Sequence, residues 1–96
     1  MEIRTLVSPA DGQMKYLHVQ EVDIAPGESR VDCSLPGMDV YYYVVSGYGR
    51  LDVDAYGYAL SAQSGVFIPA ENPHWLSNSG AMDMKLVRYI TPAKED

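Results

Sequence analysis

Short runs of β-branched and tyrosine residues, each ended by Gly, Pro, Asn, Asp or Ser, follow one another along almost the whole chain. No stretch carries the apolar spacing of an amphipathic helix, so the pattern predicts an all-β fold. The strongest run is Asp39-Val40-Tyr41-Tyr42-Tyr43-Val44-Val45, apolar or aromatic on both faces and therefore expected to be buried on both. It stops at Ser46-Gly47-Tyr48-Gly49. Leu51, Val53 and Ala55 then alternate with Arg50, Asp52 and Asp54, the signature of a half-buried strand with an acidic outer face. Tyr56-Gly57 is expected to close a hairpin onto Tyr58-Ala59-Leu60.

Further strands are expected at 14–22, 29–35, 65–69, 74–77 and 82–91. The first alternates Tyr16, His18, Gln20 and Val22 with Lys15, Leu17, Val19 and Glu21. Ala25-Pro26-Gly27-Glu28, Pro36-Gly37 and Glu71-Asn72-Pro73 supply turns between them. Roughly eight short strands in so small a chain imply a closed or nearly closed antiparallel sandwich or barrel, because closure removes unpaired edges. Residues 1–96 read as one domain, with a charged tail, Lys94-Glu95-Asp96, expected to fray.

Charge narrows the partners. Seven basic against 13 acidic residues give a net charge of −6, and the basic ones are scattered without a run. A nucleic-acid backbone or an anionic membrane surface needs clustered Lys and Arg, so neither is expected as a partner. The single cysteine, Cys33, has no partner for a disulfide within the chain, which suits a reducing cytoplasm. Residues 1–7 hold no continuous apolar stretch of the kind a secretory signal needs. No segment approaches the length of a membrane span.

The order of glycines, prolines and potential ligands resembles that of the cupin family, small jelly-roll barrels defined by two motifs. Gly27, Cys33, Leu35, Asp39 and Gly47 stand where the first motif places Gly, His, His, Glu and Gly. The Asp39-to-Gly47 interval is one residue longer than the family pattern. In the second motif Pro69, His74 and Asn78 match, Glu71 replaces a Gly, and Gly65 lies slightly closer to Pro69 than usual. The resemblance runs from about Ile24 to Pro92. It implies a small jelly-roll barrel, mostly antiparallel, of the compact single-barrel kind.

Metal-binding cupins hold their ion with two His and a Glu from the first motif and one His from the second. Carried over by position, His74 is the one ligand retained, and Leu35 coordinates nothing. Cys33, Asp39 and His74 form the candidate metal set; thiolate, carboxylate and imidazole together suit Zn²⁺ better than Fe(II). Each also has a plainer reading: Cys33 as a small buried hydrophobe, Asp39 as a strand-start cap, His74 as a hydrogen-bonded core residue. His18, outside both motifs, reads as a surface or supporting residue.

Tyr41 and Tyr43 share a strand face with Asp39 and are expected to point into the barrel with it, leaving Val40, Tyr42 and Val44 outside. The outer stripe would be covered by a second subunit, which predicts a homodimer. A small-molecule ligand is expected inside, lined by Cys33, Leu35, Tyr41, Tyr43, His74 and Trp75. If the barrel is an enzyme, His74 is the candidate acid or base, with Asp39 or Tyr43 completing the proton path. The chemistry would then resemble that of cupin isomerases, epimerases or lyases on sugars or small acids. Two alternatives stand beside it: a metal-free ligand-sensing barrel, and a barrel whose role is association alone.

Overall fold

A computed structural model of the protein describes residues 1–7 and 17–92, the last by its backbone alone. Among these there is no helix. The strands are β1 (Glu2–Val7), β2 (His18–Ile24), β3 (Val31–Asp32), β4 (Met38–Ser46), β5 (Tyr48–Val53), β6 (Tyr56–Ser61), β7 (Gly65–Ile68), β8 (His74–Ser77) and β9 (Met84–Pro92). They form two facing antiparallel sheets with the strand orders β1-β2-β9-β4-β7 and β3-β8-β5-β6. The strand punctuation predicts an antiparallel sandwich or barrel, and the architecture is the jelly-roll barrel that the family resemblance implies. No helix among the described residues is long and apolar enough to cross a membrane.

The boundaries differ from expectation at three places, each for a local reason. Strand β1 lacks an apolar face; only Val7 is half-buried, and the strand is held by its pairing to β2. The stretch expected at 29–35 pairs over only Val31 and Asp32, because the Asp32 carboxylate accepts the Ser34 N–H at 2.9 Å and turns the chain out of the ladder. The hairpin between β5 and β6 turns at Asp54-Ala55 rather than Tyr56-Gly57, with Asp54 at φ 52°, a conformation its short polar side chain tolerates. Residues 14–16 of the first expected strand, and the tail at 94–96, lie outside the described residues.

The faces of β4 are the reverse of those expected. Val40, Tyr42 and Val44 point inward and are 2% exposed or less, whereas Tyr41 and Tyr43 lie outside at 40% and 37%. Asp39 belongs to the outer set by alternation and is half-buried there, its Oδ1 accepting the Ala70 N–H at 2.7 Å. The apolar stripe from which self-association was argued is therefore core. The outer face instead carries Tyr89, Tyr41 and Phe67 in register across β9, β4 and β7, with Tyr41 and Tyr89 rings 6.0 Å apart.

Alternation sorts the inner face of the first sheet into rows. Val22, Leu86 and Val44 form one and Ile24 and Met84 the next, all fully buried. Leu51, Leu60 and Leu76 of the second sheet pack against them. At this apolar end Asn78, 1% exposed, donates to the carbonyls of Ile24 and Met82 at 2.8 Å each and accepts the Gly80 N–H at 2.9 Å. Gly47, at φ 91°, lets the chain pass Asp83 and Met84; a Cβ there would sit 2.6 Å from the Asp83 carbonyl oxygen. One row up from the apolar layers, the inner face turns polar.

Candidate functional site

His74 opens β8 immediately after the turn Glu71-Asn72-Pro73. Glu71, at φ 69°, accepts the Gly37 N–H at 2.9 Å and so ties this turn to the Pro36-Gly37 loop. The backbone N–H of His74 donates to Ser34 Oγ at 3.0 Å, and its carbonyl accepts the Cys33 N–H at 3.0 Å. The main chain is thus fixed from both sides, and the imidazole is driven inward to 1% exposure.

Its ring meets Tyr42, which projects from β4 in the opposite sheet. Tyr42 Oη lies 2.7 Å from His74 Nε2, with the two rings 5.4 Å apart and nearly perpendicular. Nδ1 lies 3.4 Å from the Asn72 carbonyl, which only accepts. The proton is therefore assigned to Nδ1, and Nε2 accepts the tyrosine O–H. Burial pulls the His74 pKa below its ordinary 6.5, and the nearby Arg88 charge pushes the same way. Burial also raises Tyr42 far above the phenol range. Both groups are neutral at pH 7 and share one short hydrogen bond.

Arg88 completes the cluster. It stands directly between Gln20 and Tyr42 in the sheet register and is 4% exposed. Its Nε and Nη2 donate to Gln20 Oε1 at 3.0 and 2.6 Å, and Nη1 reaches Tyr42 Oη at 3.5 Å. Cys33, 4% exposed, adjoins the same tyrosine hydroxyl, 3.4 Å from the Val31 carbonyl and 3.7 Å from Met1 Sδ. Burial raises its thiol pKa, so it is not a ready thiolate. This arrangement can accept and donate hydrogen bonds and hold positive charge on Arg88, with the proton of the short bond kept on Tyr42 because burial raises the phenol and lowers the imidazole.

Of the residues singled out from sequence, His74 and Cys33 reach this interior. Asp39, Tyr41 and Tyr43 do not: alternation carries them to the outer face, away from the imidazole. Tyr43 and Asp39 are therefore not placed to pass a proton to His74. Leu35 is half-buried and lines a cavity of about 80 Å³ with Ser34, Pro36, Glu71, Asn72 and Pro73. Trp75 follows His74 on β8 and so faces the other way, its ring 4.7 Å from the Arg30 guanidinium. His18, half-buried at the start of β2, has Nε2 3.4 Å from Thr5 Oγ1.

The residues present do not fit a divalent ion. Among the described residues no three His, Cys, Asp or Glu side chains come together, so Cys33, Asp39 and His74 are not a ligand set. The imidazole nitrogen that would coordinate is bonded to Tyr42 instead, and a guanidinium lies beyond it, whose charge opposes a cation. Tyr42, Arg88 and Gln20 were missed in the sequence. A signal existed: Met84, Leu86, Arg88 and Ile90 form the apolar face of β9, and a single arginine interrupts it.

A family profile described as "Cupin domain" matches residues 20–89. A curated relative from Streptomyces cyaneus, named "Polyketide synthase CurC", is 26% identical over 91 residues, covering 95% of this chain. The chain spans 59% of that relative's length. A predicted oxalate decarboxylase from Thermotoga maritima has a similar structure, with TM-score 0.83, 21% identity, and coverage of 95% of this chain and 79% of its own. The Cupin_2 domain of an XRE family transcriptional regulator from Enterobacter cloacae gives TM-score 0.82 at 17% identity, covering 97% of both chains.

Proposed function

The chain belongs to the cupin family, and from that premise we propose that it binds a small organic molecule inside the barrel at the Tyr42–His74 pair, without a metal centre built from the motif positions. The observation that carries this reading is the 2.7 Å bond between a buried hydroxyl and a buried neutral imidazole, at the level where the apolar core gives way to polar side chains. A fold that buries this many polar groups must satisfy each of them, at no gain in stability over an apolar core. Retaining them is understood if they serve recognition. The cavity over Leu35 is bordered by the same Asn72 whose carbonyl holds the imidazole. The name of the Streptomyces relative points to ligands rich in carbonyl groups, which suit the hydroxyl and guanidinium donors here.

A second reading, proton-transfer catalysis, is favoured by one feature. Once a substrate takes the place of the Tyr42–His74 bond, the neutral imidazole is able to act as a base at Nε2 while the freed hydroxyl donates to a substrate oxygen. Isomerisation, epimerisation or elimination next to a carbonyl are reactions of this kind. The test uses protein labelled with ¹⁵N at histidine and titrated with a panel of sugars, carbonyl compounds and organic acids. Binding at the interior is expected to move the His74 ring resonances, and His74→Asn to abolish that affinity with the fold retained. A panel that leaves the His74 ring unmoved overturns the proposal.

A further inference from the structure

We propose that the ligand is anionic, a small organic monocarboxylate, and that Arg88 is its counter-ion; this rests on the barrel interior being the ligand site. Arg88 is the one fully buried charged side chain among the described residues, at 4% exposure. The four ion pairs among those residues join Met1 to Glu28, Arg4 to Glu21, Arg50 to Asp52 and Lys85 to Glu21; none involves Arg88. Among the described residues, no acidic side chain is paired with this buried cation. Burying a charge without an opposite one is costly, and a guanidinium does not escape the cost by losing its proton.

The contacts that Arg88 does make orient it without neutralising it. Gln20 and Tyr42 are uncharged, and the neutral His74 behind Tyr42 adds no charge of either sign. A guanidinium has five N–H donors. Nε, one N–H of Nη2 and one N–H of Nη1 are used, so each terminal nitrogen keeps one N–H with no acceptor among the described residues. Two N–H groups on one planar fork match the two oxygens of a carboxylate. The second charge of a phosphate monoester would find no cation among these neighbours, which favours a singly charged ligand. Gln20, which holds the fork, is only half-buried.

Benzoate and its uncharged isostere benzamide provide the test, titrated into the intact chain while the His74 ring and Arg88 Nε–H resonances are followed. Benzoate is expected to bind on the order of ten- to a hundredfold more tightly than benzamide, the span of a charged hydrogen-bonded pair. Its ring protons should show contacts to the Arg88 Nε–H. Arg88→Gln is expected to remove the preference while benzamide still binds; should that variant not fold, the wild-type ratio and the contacts to Arg88 decide. Equal affinities in the wild type overturn the anion inference and leave the interior site standing. A preference that survives in Arg88→Gln overturns the role of Arg88, and failure of both probes to move His74 overturns the interior site with it.

Discussion

Replacing Tyr42 with Phe removes a single oxygen from the fully buried centre of the barrel and leaves the ring in place. His74 Nε2, itself buried, then loses the donor it meets at 2.7 Å. A buried acceptor left unsatisfied costs about 1–3 kcal/mol; the Arg88 contact, at 3.5 Å, adds little, so a loss near 2 kcal/mol is expected. At about 5 °C per kcal/mol for a domain of this size, the melting temperature should fall by roughly 10 °C. Tyr41→Phe supplies the control, since that ring is 40% exposed and should stay within about 0.5 kcal/mol of the parent. Urea denaturation of the three proteins measures both differences. If Tyr42→Phe is as mild as Tyr41→Phe, the short bond does not hold the interior and the site argument fails with it.

The pH dependence of stability should have a limb at each end. Because burial lowers the His74 pKa from 6.5, the unfolded chain binds more protons than the folded one just below that value. The contribution is present above about pH 6.5 and lost as pH falls through the lower folded value, and His74→Asn should flatten that limb in thermal melts. Tyr42 acts in the opposite sense: its raised pKa means stability is lost above pH 10, where the unfolded phenol ionises first, and Tyr42→Phe should remove that loss. Gly47→Ala should cost about 2–3 kcal/mol in urea denaturation, since the added Cβ meets the backbone of Asp83 and Met84 at positive φ. Gly27→Ala, at φ 86° with open space around it, should cost about 1 kcal/mol; equal effects at the two glycines would refute the close-approach argument.

The fold was legible because strand punctuation is a local signal, and Gly, Pro, Asn and Asp fall where the chain turns. Strand β1 was not, since five of its six residues are exposed and its order comes from pairing, which composition does not record. The site was harder to read. Between residues 39 and 45 both alternating sets are apolar or aromatic, so period alone does not say which set faces the core. The placement of Asp39 at a motif ligand position argued for one answer, and its carboxyl chemistry for the other. The structure follows the chemistry: the set that contains the carboxylate lies outside, where Ala70 N–H meets it. Arg88 was passed over because arginines are ordinarily surface residues. Its neighbours at 84, 86 and 90 are core, and that mismatch was the readable clue.

Asn78 gathers bonds from positions far apart along the chain: its side chain holds Ile24, Gly80 and Met82, while its backbone exchanges bonds with Gly27 and Glu28. Neither sheet can peel away from that knot without exposing the apolar layer beneath it. Opening should accordingly be all-or-none, with amides of β2, β5 and β9 exchanging hydrogen at a shared, slow rate rather than strand by strand. A ligand seated at the other end would then slow exchange throughout the molecule, including at amides it never touches.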